Sequence, residues 1–153
     1  MKRWLVYGAA LVMLGVSPFR GMDIGKLSPV ETVWIGWQDG QILIQTDTGD
    51  RGMGNELQEA LTELQKAASG IVFLETADYL IVEKGAEVLL EQAQGIFRPT
   101  CTICAAEQLP DLKQATEFLN VHEPESTLRR WKAEKYTLPL LQEKEGGYEW
   151  LDG

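Results

Sequence analysis

At 153 residues the chain is one domain's worth of protein, and its 44% apolar composition can bury a core without disulfide or metal staples. The net charge is −9, and beyond residue 20 there are 11 basic side chains against 23 acidic ones, a body of −12. A body this acidic repels phosphate backbones, so nucleic acid is excluded as a partner, and the composition is not that of a disordered chain.

Met1-Lys2-Arg3 is a positive leader, and Trp4 to Val16 carries no charge. Trp4, Leu5, Val6, Leu11, Val12, Met13, Leu14 and Val16 form its apolar substance, followed by Ser17, Pro18, Phe19 and Arg20. This is the layout of an export signal, with the positive end held in the cytoplasm. Gly15-x-Ser17 is the nearest approach to a small-x-small cleavage site, and Pro18 follows it directly. Residues 1–20 are therefore expected to be a signal peptide or an uncleaved N-terminal membrane anchor. Residues 21–30 read as a linker, and 31–153 as a domain on the extracytoplasmic side of the membrane.

Glu31–Gln38 places Val33, Ile35 and Trp37 on one face and Trp34 on the other. Gln41–Thr46 alternates likewise. The Asp39-Gly40 between them signals a hairpin, because a type I′ turn needs positive φ at both centres. Asp47–Gly54 reads as a polar loop. Its glycines complete neither a Walker nor a dinucleotide motif. Asn55 is a candidate helix cap with Gln58 three residues on. Leu57, Ala60, Leu61, Leu64 and Ala68 then make one apolar stripe. Glu56, Glu59 and Glu63 lie off it, and a solvated face explains them without a metal.

Ile71–Val82 is apolar, β-branched and aromatic, the composition of a buried strand, and is read as the central strand with a bend at Glu75–Asp78. A second stripe follows (Ala86, Leu89, Leu90, Ala93), then a strand at Thr100–Ala106. Pro110 suits the first turn of a helix carrying Leu112, Ala115 and Leu119. Ser126 suits the cap of a fourth helix carrying Leu128 and Trp131. Thr137–Leu141 contains Pro139 and belongs at a sheet edge or bulge. Tyr148–Leu151 is a further edge segment. The fold class is α/β with α+β mixing: one domain, a hairpin, and a mixed sheet packed by three to four helices behind the hydrophobic segment.

Cys101-x-x-Cys104 is the sharpest chemical motif. A redox pair of this spacing sits at a helix N-terminus, where the thiol pKa falls. Here the pair falls in a strand, where residues three apart point to opposite faces and cannot bond to each other. His122 stands alone in a loop. A single His with four scattered serines and no Gly-x-Ser-x-Gly argues against a Ser–His hydrolase, and with one His a Cys2His2 zinc site cannot be assembled. No catalytic, cofactor-binding or metal-binding residue is assigned. Function is expected to be non-enzymatic, with the membrane engaged through the N-terminal segment and a protein as the partner. The alternative is a thiol–disulfide oxidoreductase using Cys101 and Cys104. One of Trp34 and Trp37 must face away from the other, and is a candidate for a partner surface.

The hairpin, Gly54-x-x-x-x-Glu59-Ala60-x-x-x-Leu64, Phe73-Leu74-x-x-Ala77-x-Tyr79-Leu80-Ile81-Val82, Phe97-Arg98-Pro99 and Leu138-Pro139 follow one another in a familiar order. The stretch from about Glu31 to Leu141 resembles the N-terminal domain of the Ger(x)C family, the C-subunit of spore germinant receptors. The resemblance implies a non-catalytic extracytoplasmic α/β domain at a membrane of an endospore-forming bacterium. The lipid-bearing Cys that ends the family's signal, the Trp-Asp-x-x-Glu run after it and the family's later domains have no counterpart here. No ligand-binding residue of the family maps onto this chain.

Overall fold

The computed structural model describes residues 27–151. The N-terminal hydrophobic segment and the first part of the expected linker lie outside the described residues. The rest of that linker is structured. Leu27–Pro29 forms β1, and Val30 is buried. Among the described residues no helix is long and apolar enough to cross a membrane.

β2 (Thr32–Gln38) and β3 (Gln41–Thr46) form the hairpin, with φ of 51° at Asp39 and 79° at Gly40. Both centres have the positive φ that the Asp-Gly pair tolerates. Alternation divides the apolar residues between two cores. Val33, Ile35, Ile42 and Ile44 enter the first, and Trp34 and Leu43 the second. Trp37 shares a face with Val33 and Ile35 but is 46% exposed.

The expected loop at Asp47–Gly54 is corrected in its second half. Arg51–Gly54 is β4, antiparallel to β3, and its glycines are packing residues. A Cβ at Gly52 would lie 2.1 Å from the Ala60 carbonyl oxygen, and one at Gly54 2.6 Å from the Ala60 nitrogen. Helix α1 (Leu57–Ala67) thus lies directly on the backbone of β4, burying Leu57, Ala60 and Leu64. The expected Asn55/Gln58 capping pair is also corrected. Glu56 is the N-cap and makes no side-chain cap bond. Instead the Glu59 carboxylate accepts from the Asn55 N–H at 2.8 Å.

Ile71–Val82 is two strands rather than one bent strand. β5 (Ile71–Phe73) pairs with β1 in a small parallel sheet, and the chain then turns through a 3-10 segment at Leu74–Thr76. β6 (Tyr79–Glu83) enters the main sheet. The Glu31 carbonyl accepts from the N–H groups of both Asp78 and Tyr79, each at 2.9 Å, which sets β6 parallel to β2. β6 is the middle strand of seven, with Leu80, Ile81 and Val82 fully buried.

After α2 (Leu89–Ala93) comes β7 (Thr102–Ala106), buried along its whole length. α3 (Leu112–Val121) is capped by Asp111, whose carboxylate accepts from the N–H groups of Lys113 and Gln114, so Pro110 precedes the cap. α4 (Leu128–Glu134) is capped by the Thr127 hydroxyl, not by Ser126, whose own hydroxyl is engaged by Tyr136 at 2.6 Å. β8 (Leu140–Lys144) and β9 (Gly147–Leu151) close the sheet. The order is β4-β3-β2-β6-β7-β8-β9, with β2, β6, β7 and β8 parallel. Pro139 is not at an edge. It precedes β8, the sixth strand, and its carbonyl accepts from the Ala105 N–H at 2.9 Å. Proline lacks a donor but keeps its acceptor, so it can start an inner strand. β9 is the edge, as expected.

The result is the mixed α/β domain read from the sequence. The first face carries the apolar residues of α1, α2 and α4, and the second those of α3.

Candidate interaction groove

The two cysteines are free, buried and on different faces, Cys101 in the first core and Cys104 in the second. Burial pushes the Cys101 thiol up to about 12, with Arg98 pulling it down and Asp78 raising it further. Burial pushes Cys104 up as well, with Cys101 adding to the rise. A thiol held protonated is a poor nucleophile. His122 is exposed at the C-cap of α3, its ring 4.8 Å from that of Phe118. Its carbonyl accepts from the Trp150 indole at 3.1 Å, so its neighbourhood ties α3 to β9. Among the described residues no three His, Cys, Asp or Glu side chains are grouped to hold a metal.

A wide concavity lies elsewhere, at the carboxyl ends of β6 and β7, where open α/β sheets place their ligands. It has a volume of about 900 Å³. The two faces of the sheet explain it. On the second face Leu141 and Tyr148 of the β8–β9 hairpin are buried with the α3 residues Leu112, Ala115 and Leu119. On the first face the hairpin presents Leu140 and Leu151, which stand opposite each other, and Leu151 is 47% exposed. Ala105, Leu140 and Leu151 form the apolar floor of the groove, and Trp131 and Leu138 its wall.

Lys135 shapes the wall. It caps α4 in the left-handed conformation, φ 50°, and its N–H donates to the Trp131 carbonyl at 2.7 Å. This reverses the chain toward β8. Its ammonium stands 3.9 Å from the centre of the Trp131 ring and pairs with Glu91. On the opposite rim Lys84 pairs with Glu107 at 3.4 Å. Both pairs are exposed, where such pairs are worth about 1 kcal/mol or less, so the lysines can exchange partners. An apolar floor with a few charged groups at the rim is the make-up of a binding cleft.

Sequence reasoning placed Trp131, Leu138 and Leu151 in helices and strands but did not bring them together. Their convergence follows from strand order, which periodicity does not encode. Of Trp34 and Trp37, one of which was expected at the surface, Trp37 is the exposed one, at the end of β2, where its N–H donates to Glu83 at 2.5 Å. It does not line the groove. Comparison with known proteins finds no matching family model, no matching curated protein and no matching solved structure.

Proposed function

We propose that the chain is a non-enzymatic, membrane-tethered interaction domain whose body stands on the extracytoplasmic side and binds a protein partner through the groove between α4 and the β8–β9 hairpin. One observation carries the reading. The hairpin is covered by a helix on its second face, while on its first face Leu140 and Leu151 floor an open groove. A three-layer α/β domain buries both faces of its sheet, so an uncovered apolar floor marks where another molecule completes the layer. The buried, protonated thiols fit a structural role for Cys101 and Cys104. The apolar N-terminal segment supports the tether, and the Ger(x)C resemblance supports an accessory role in spore germination.

The test is complementation. A deletion strain is made in the source bacterium, and germination of its spores is timed with wild-type, Leu151→Glu and Lys66→Glu chains restored. Lys66 lies on α1, remote from the groove. The expected result is slow germination in the deletion strain, rescued by wild type and Lys66→Glu but not by Leu151→Glu. Normal germination of the deletion strain overturns the germination role. Full rescue by Leu151→Glu overturns the groove.

A further inference from the structure

A second, smaller cavity of about 280 Å³ lies on the other side of α4. Its floor is Phe97 and Leu128, both buried, with Pro99 beside them. Every charged side chain that lines it is positive, in a described body that carries 21 acidic against 10 basic side chains. α4 holds Arg129, Arg130 and Lys132, and Lys135 caps it. These cations divide into two pairs. Arg130 is engaged by Glu134 at 3.3 Å and Lys135 by Glu91. Arg129 and Lys132, three residues apart and so on one helix face, have no acidic partner among the described residues. Both line the cavity.

The third polar group there is the Gln94 amide. Its Nε2 is fully buried, out of reach of a molecule in the cavity, and has no hydrogen-bond partner among the described residues. A buried donor left unpaired costs about 1–3 kcal/mol, so such a group is normally satisfied. The backbone holds the cavity walls together. The Arg129 N–H donates to the Pro99 carbonyl at 2.9 Å, and Gln94 and Phe97 are bridged to each other.

Two cations without an acidic partner and an apolar floor line a space of about 280 Å³, sized for a small molecule. We infer that this cavity binds a small organic anion, a monocarboxylate with a compact apolar body. The carboxylate is held by Arg129 and Lys132, and the apolar part rests on Phe97 and Leu128. A guanidinium suits a carboxylate through its fork of donors. The site is independent of the groove and does not need a protein partner.

The experiment is titration of the full chain with benzoate, followed by amide chemical shifts. Benzyl alcohol is the neutral control, and inorganic phosphate is the anion without an apolar body. The expected result is saturable shifts confined to residues 94–99 and 128–132, with benzyl alcohol and phosphate each at least about tenfold weaker. Arg129→Gln/Lys132→Gln, at two exposed positions whose loss leaves the fold intact, weakens benzoate by a similar factor. Gln94→Leu leaves the benzoate affinity unchanged and raises the melting temperature, since the unpaired donor is gone. No saturable shift, equal binding of benzyl alcohol, or unchanged affinity in the double variant overturns the site.

Discussion

Cys101 and Cys104 show how local structure decides the chemistry of a residue. Their spacing is that of a redox pair, but Cys104 lies in β7 and Cys101 just before that strand, where the pair was expected within one strand, and the two enter opposite cores. In the native chain both thiols are expected to resist a thiol-specific reagent at pH 8 and to react only on unfolding, giving a count of two. The linkage follows from the raised values. An unfolded thiol ionises near 9, whereas folded Cys101 holds its proton to about 12. Between those limits the folded state binds the extra proton, so stability falls as pH rises. Urea midpoints of the wild type and of a Cys101→Ala/Cys104→Ala chain measured from pH 8 to 11 check this: the wild type loses more over that range. Parallel curves contradict it. Gly52 makes the same point about shape. Its missing Cβ is what lets α1 sit on β4, and the atom in the way is helix backbone. Gly52→Ala is expected to cost about 3 kcal/mol, the upper end for overpacking, read as a lower denaturant midpoint. Gly40→Ala meets open space and carries only the strain of positive φ, about 1 kcal/mol. The sequence showed these glycines, but a glycine under a helix and a glycine in a loop are written with the same letter.

The elements were most legible where chemistry is local. Asp39-Gly40 named its hairpin, and the stripes expected for α2 and α3 are buried, as are Leu57, Ala60 and Leu64 of the α1 stripe, while Leu61 and Ala68 are only partly so. Boundaries failed where a neighbour took over. Ser126 has the right side chain for a cap, but Tyr136 holds it, and Thr127 caps α4 instead. Asp111→Ala, which removes a cap that accepts two N–H bonds, should therefore cost about 1 kcal/mol by chemical denaturation. An unchanged midpoint would show that the first turn of α3 is held by packing. The division of Ile71–Val82 was hidden for a different reason. Both halves are apolar enough to be strands, and only the pairing of β5 with β1 and of β6 with β2 separates them. Partner choice is a property of the sheet, not of the segment.

The architecture of the whole molecule was readable as a class and not as a surface. Apolar runs and amphipathic stripes gave a mixed sheet with helices. They could not tell which face each helix covers, because α3 and α4 follow one another in the chain and pack on opposite sides. The groove is a consequence of that choice. One face of the β8–β9 hairpin has α3, and among the described residues the other has no helix over Leu140 and Leu151. The most direct test of a partner there is photo-crosslinking from position 151 of the full chain in membranes of the source cells, with position 66 as the control. A discrete adduct from 151 that is absent from 66 and lost in a Lys84→Glu/Lys135→Glu background is the predicted result. Equal labelling from both positions, or none from 151, would contradict a docking role for the groove.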